Sequence, residues 1–366
     1  MFGDIYCGKK VLVTGNTGFK GSWLTCWLIK LGAQVVGVSK DIPTNPSMFK
    51  DLNLESMIKH YICDIRDLTA LSDIVAKERP DIVFHLAAQA IVSTSYDDPV
   101  ETISTNTIGT MNVMEILSKI DWPCVSVLIT SDKSYNNVEW VWGYKETDAV
   151  GGKDIYSGSK GAADLIIKSY YYSFFNNKNH PVKLAVGRAG NVIGGGDWAR
   201  DRIIVDTVKA WSKKESVQIR SPNATRPWQH VLEPLSGYLA LGESLFLDPQ
   251  VDGEAFNFGP RAEQNRTVIN LLSTMAETWT ASIADKPFVV TDNIPFKEAE
   301  LLKLNCDKAL FYLKWDATLD YLQTVAMTAS WYSAYYSDNV DLFKFTDIQI
   351  DEYEARASQR GSKWAV

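Results

Sequence analysis

Apolar residues in the first half of the chain fall in short blocks. They occur at Lys10 to Thr14, Gln34 to Ser39, Tyr61 to Cys63, Ile82 to Leu86, Ser126 to Ser131 and Lys183 to Ala189. Blocks of this length without strict alternation suit strands buried on both faces. Between them run stretches of helical periodicity. These are Phe19 to Leu31, which stops at Gly32, an amphipathic piece ending near Glu78, Val100 to Ile120, and Asp154 to about Phe175. Strands alternating with helices predict an α/β fold: a doubly wound parallel sheet of the Rossmann type, covered on both faces.

Past Asn191 the alternation loosens. Gly194-Gly195-Gly196 reads as a loop and Asp201 to Lys214 as a helix. Strand-like pieces follow at Val217 to Arg220 and Phe288 to Thr291, then a helix around Leu319 to Tyr332. This predicts a Rossmann domain over 1–190 and a smaller mixed α/β domain over 191–366, with about 226–260 returning to the main sheet. The polar tail after Ser337 is expected to be partly disordered.

The 366 residues carry a formal charge of -7, which gives no basic field for nucleic acid or an anionic membrane. The five cysteines, Cys7, Cys26, Cys63, Cys124 and Cys306, show no metal-ligand spacing. They read as free thiols of a reducing compartment, and no metal site is expected. Met1 to Tyr6 has neither a basic start nor a long apolar run, and no window is apolar enough to span a bilayer. The expected location is the cytoplasm.

Gly15-Asn16-Thr17-Gly18-Phe19-Lys20-Gly21 joins the first strand to the first helix. Glycines at such a junction let the backbone approach a pyrophosphate, whose charge meets the helix N-terminus. The spacing also fits an ordinary tight turn. At the end of the second strand, Asp41 suits the ribose hydroxyl of NAD, while Lys40 leaves NADP open. Asp64 and Ile65 follow the third strand, where an adenine contact or a helix cap is expected. Tyr156 and Lys160 stand four apart on a helix, hence on one face. A neighbouring ammonium favours the phenolate, so the pair has the makings of a base. A packed tyrosine beside a solvated lysine has the same spacing.

In this order the motifs resemble the extended short-chain dehydrogenase/reductase superfamily. They are the glycine turn, His85-Leu86-Ala87-Ala88-Gln89, Thr105-Asn106, Thr130-Ser131 and Tyr156-Ser157-Gly158-Ser159-Lys160. Longer motifs narrow the resemblance to CDP-glucose 4,6-dehydratases. These are Thr17 to Leu24, Thr130-Ser131-Asp132-Lys133, Glu139 to Tyr144, Arg188 to Trp198 and Arg226 to Tyr238.

The resemblance implies bound NAD, with contacts from Gly15, Asn16, Thr17, Gly18, Phe19, Gly21, Asp41, Asp64, Ile65, Leu86, Ala87, Ala88, Gln89, Asn106, Thr130, Tyr156 and Lys160. It implies a lyase that oxidises the sugar at C4, eliminates water across C5 and C6, and returns the hydride to C6. Such enzymes feed deoxysugar synthesis for surface polysaccharide, including lipopolysaccharide O-antigen. Ser131, Asp132, Lys133, Tyr156 and Lys160 would be catalytic, with Asp132 the acid for the leaving hydroxyl and Lys133 the C5 base. A salt-bridged turn is the plainer account of Asp132-Lys133.

For the nucleotide sugar the candidates are Ser131, Asn191, Asp197, Arg202, Arg226 and Trp228, with Arg188 a further guanidinium suited to phosphate. Trp140-Val141-Trp142 would line the sugar pocket or pack beneath it. A homo-oligomer, dimer or tetramer, is implied. Asn16, Ser93, Ile155 and Lys297 depart from the family pattern. A 4-epimerase of the same superfamily, a dehydratase for another nucleotide sugar, and a non-catalytic NAD-binding protein remain alternatives. Asp132-Lys133 argues against the epimerase.

Overall fold

The computed structural model describes residues 1–261, 264–279, 283–291 and 301–366. Lys297 lies outside the described residues. Six strands follow the predicted blocks: β1 (Lys10–Thr14), β2 (Gln34–Ser39), β3 (Lys59–Ile62), β4 (Ile82–His85), β5 (Cys124–Ile129) and β6 (Val182–Ala189). A seventh strand, Ala255–Phe258, pairs with β6. The sheet order is Ala255–Phe258, β6, β5, β4, β1, β2, β3, and every pairing is parallel.

The apolar blocks follow from this arrangement. Val11 and Val13 enter one core and Leu12 the other, so one strand supplies both faces. From β1 the chain winds outward through β2 and β3, then crosses back to β4 on the other side of β1. That reversal opens a crevice beyond the strand ends, where open α/β sheets bind ligands. Thr14 lies level with both Val38 and His85, so β1, β2 and β4 end together at that crevice.

The stretch Val100 to Ile120 is not one regular helix. Pro99–Ile103 and Thr110–Leu117 are α-helical, and Ser104–Gly109 between them forms wider π turns. Asn106 lies within these π turns and is buried behind the cleft wall.

The polar tail is ordered, contrary to expectation. Leu342–Gln359 is a helix capped by Asp341, whose carboxylate accepts from the backbone N–H of Lys344. It packs on helix α1 (Phe19–Lys30), with Trp27 Nε1 donating to Glu354 Oε1 at 2.7 Å. Lys30 pairs with Asp347 and Asp351 at 2.9 and 2.8 Å. Trp364 stacks on Phe2 and Tyr353 and ties the chain's two ends together. Ile350, Tyr353 and Ala357 are fully buried at helical spacing, which is the apolar stripe the mean polarity hides.

Among the described residues no helix is long and apolar enough to cross a membrane, and no cluster has the makings of a metal site.

Candidate active site

A cavity of about 580 Å³ lies in the crevice. Its floor is the turn from β1 into α1. Gly15 has φ +75°, and a Cβ there would meet the Ala87 backbone N at 2.7 Å. A Cβ at Gly21 would stand 2.0 Å from the Gly15 carbonyl oxygen. Both positions therefore require glycine. The helix cap is Gly18, which has no side chain to satisfy the first N–H groups. An uncapped helix N-terminus facing a cavity is suited to a phosphate. This cradle fits the pyrophosphate of a dinucleotide.

Gly15, Thr17, Gly18, Phe19, Gly21, Asp41, Asp64, Ile65, Leu86, Ala87, Ala88, Gln89 and Thr130 all line this cavity. Two expected contacts sit behind the wall. Asn16 is fully buried, with Oδ1 accepting from Ser39 Oγ at 2.8 Å and its amide pressed where Gly37 leaves room. Asn106 accepts from Gln89 N at 2.8 Å and donates to Ser159 Oγ at 2.9 Å. Ser159 Oγ in turn donates to the Tyr156 carbonyl at 2.7 Å. Asn106 thus braces the helix that carries Tyr156 against the Gln89 loop. Asp64 lines the cavity, but Arg66 occupies its carboxylate, and the helix cap nearby is Asp67.

Asp154 starts the helix Ile155–Tyr170 by accepting from Ser157 N at 2.9 Å. This places Tyr156 and Lys160 on the turn that faces the cavity, both under a tenth exposed. Burial pushes Tyr156 up to about 12, while Arg202 and the Ser131 hydroxyl pull the other way. Burial also lowers Lys160 to about 8, opposed by Asp164. The sequence points to Lys160 as the cation acting on the phenol; in the structure the leading cation acting on it is Arg202.

Opposite them, Ser131 caps the short turn Asp132–Ser134. Its Oγ accepts from Lys133 N at 3.2 Å and donates to Asp132 Oδ1 at 3.0 Å. Burial raises the Asp132 carboxyl above its usual range, despite the opposing pull of Lys133 and Lys20. Ser131, Asp132 and Lys133 share the cavity wall with Tyr156 and Lys160.

A second cavity of about 290 Å³ adjoins the first, and both are bordered by Lys133, Asn191, Asp197 and Arg202. Arg226 and Trp228 line the second, with Trp228 Nε1 donating to the Arg266 carbonyl at 3.0 Å. Arg200 and Arg202 both stand at the junction. Arg200 is paired with Asp97, while the buried Nε of Arg202 has no partner among the described residues. Arg188 is not at this site. It belongs to β6 and is buried there, bonded to Asp164 at 2.9 and 3.0 Å and to Tyr135 Oη at 2.8 Å. Trp140-Val141-Trp142 does not line the pocket either: these side chains are exposed on the outside, with Trp140 leaning on Tyr144.

The sequence profile of the family described as GDP-mannose 4,6 dehydratase matches residues 12–328. The chain belongs to that family. It is 44% identical over 353 residues to the CDP-glucose 4,6-dehydratase of Salmonella typhimurium, spanning 96% of this chain and 97% of that one. The dTDP-glucose 4,6-dehydratase of Haemophilus influenzae is 23% identical, over 88% of this chain and 97% of its own. Among solved structures, the UDP-glucose 4-epimerase of Thermotoga maritima superposes with a TM-score of 0.77 at 22% identity, over 90% of this chain and all of that one. The dTDP-glucose 4,6-dehydratase of Bacillus anthracis, solved with NAD, gives 0.71 at 19%, over 89% and 96%. These two establish the shared fold.

Within this GDP-mannose 4,6 dehydratase family member, Lys20 is a site residue that sequence reasoning left without a role. It stands in the first turn of α1 and lines the large cavity. Burial lowers it to about 8, while Asp132 and Asp197 act to keep it charged. A lysine in the first turn of a helix opposes the macrodipole, and that is the signal available in the sequence.

Proposed function

We propose that the protein is a NAD-dependent lyase that dehydrates CDP-glucose to CDP-4-keto-6-deoxyglucose. One observation carries the reading: Asp132 and Lys133 line the same cavity as Tyr156 and Lys160. A redox tyrosine alone serves an epimerase. An adjacent acid and base are what elimination of water adds. The 44% identity to a CDP-glucose enzyme supports the cytidine nucleotide.

Bound in the large cavity, NAD would supply a reversible acceptor for the C4 hydride and a positive charge that favours the Tyr156 phenolate. Tyr156 removes the proton of the sugar 4-hydroxyl, with Lys160 and Arg202 favouring its anionic form. The C4 ketone acidifies the C5 proton, which Lys133 takes at the junction of the two cavities. Asp132, whose burial favours the protonated carboxyl, gives its proton to the departing 6-hydroxyl. Arg202 and Arg226, with Asn191 and Asp197, form the side that receives the nucleotide diphosphate. Trp228 adds an apolar wall.

The free thiols Cys7, Cys26, Cys63, Cys124 and Cys306 support a reducing location, the cytoplasm. Exposed Val100, Ile108, Leu165, Tyr172 and Phe174 on neighbouring helices support a homo-oligomer.

Single-turnover kinetics of Lys133→Met test the assignment. C4 oxidation should proceed, seen as absorbance of reduced nicotinamide, while dehydration slows by about 10²-fold or more. Dehydration at the normal rate would remove Lys133 from the base role.

A further inference from the structure

Glu101 belongs to none of the motifs that tie the chain to its family. It sits on the helix Pro99–Ile103, far in sequence from the glycine turn. It nevertheless lines the large cavity at the end formed by Lys40, Asp41 and Asp64. Two cations share its carboxylate. Lys40 Nζ donates to Oε1 at 2.6 Å, and Arg66 donates to Oε2. Arg66 is held from its other side by Asp64, at 2.6 to 3.1 Å. Lys40, then Arg66, holds the Glu101 carboxyl below its usual range.

This cluster follows the ends of β2 and β3, where the adenosine ribose of a dinucleotide lies in a doubly wound fold. Basic side chains at that place accommodate a ribose 2′-phosphate. Here neither cation is free to do so. Asp41, Asp64 and Glu101 line this end, and of the two cations only Lys40 does. A 2′-phosphate would face three carboxylates and would have to part Lys40 from Glu101. A 2′-hydroxyl carries no charge and disturbs neither pair.

We propose that Glu101 is a specificity-determining residue: by engaging Lys40 and Arg66 it excludes a 2′-phosphorylated dinucleotide and keeps the site for NAD. The inference rests on the dinucleotide reading of the large cavity.

The test is calorimetric titration of the purified enzyme with NAD and with NADP, without sugar substrate. The wild type should prefer NAD. Glu101→Gln should raise NADP affinity relative to NAD by about tenfold, the effect of removing one nearby charge facing a phosphate. Lys40→Ala in that background should abolish the gain, and Glu101→Asp should keep the wild-type preference. The wild type supplies a check independent of any variant's folding: with rising salt its discrimination against NADP should narrow, because the opposing force is like-charge repulsion. An unchanged NADP-to-NAD ratio in Glu101→Gln, or wild-type discrimination that widens with salt, would overturn the proposal. Binding of neither nucleotide by the wild type would instead remove the dinucleotide reading itself.

Discussion

The two cavities meet at Lys133 but are built from different materials. The larger has a floor of backbone, made by the glycine turn, the uncapped start of α1 and the Leu86-Ala87-Ala88 segment after β4, beneath side chains such as Tyr156, Lys160 and Asp132. The smaller is walled by side chains from segments far apart in the chain, such as Ser93, Lys133, Arg202, Gln218 and Arg226. A backbone site depends on spacing, so it can be read from the order of residues. A side-chain site depends on which groups point inward. Arg188 and Arg202 differ in that alone: one is locked to Asp164 in the core, and the other stands at the junction.

This contrast is open to attack at several points. The largest effect belongs to the chemistry at the shared wall. Tyr156→Phe should lower kcat by about 10³-fold, roughly 4 kcal/mol of barrier, while leaving dinucleotide affinity nearly intact. Affinity lost in step with kcat would mean that Tyr156 holds the cavity together rather than acting on substrate. Next is the division between the arginines. Arg188→Met leaves Asp164 buried without its partner and should destabilise the fold by about 3 kcal/mol or more in denaturant titration. Normal stability with weakened nucleotide-sugar binding would place Arg188 in the substrate cavity after all.

The smallest effect is a slope. Burial holds Lys160 at about 8, below its ordinary 10.5, so from pH 8 upward the unfolded chain binds the extra proton. Its contribution is therefore fully present above the unfolded value and is lost as pH falls through 8. Stability of the ligand-free enzyme should gain from this group on going from pH 8 to 9, and Lys160→Met should flatten that part of the profile. An identical profile in the variant would contradict the burial assigned to Lys160.

The strands of the main sheet were legible because each is a short apolar block between helical stretches. The glycine turn and the Tyr156–Lys160 pair were legible because a tight strand-to-helix turn and the helical period fix their spacing. The C-terminal helix was hidden by its polar outer face, although Ile350, Tyr353 and Ala357 mark its buried stripe. Asn106 was expected at the dinucleotide, but the structure sets it behind the cavity wall within π turns, bracing the helix that carries Tyr156, and local propensity does not reveal those turns. Lys20 and Glu101 became site residues only when the chain brought them beside Asp132 and Lys40.

The central claim is that the tyrosine chemistry of the large cavity is coupled to elimination of water. Incubation of the enzyme with NAD and CDP-glucose carrying deuterium at C4 tests it most directly, with product mass and NMR as the readout. The account predicts a 4-keto product one water lighter, with the deuterium moved to C6 and a solvent proton at C5. A product of unchanged mass, inverted at C4 and with its 6-hydroxyl intact, would contradict it.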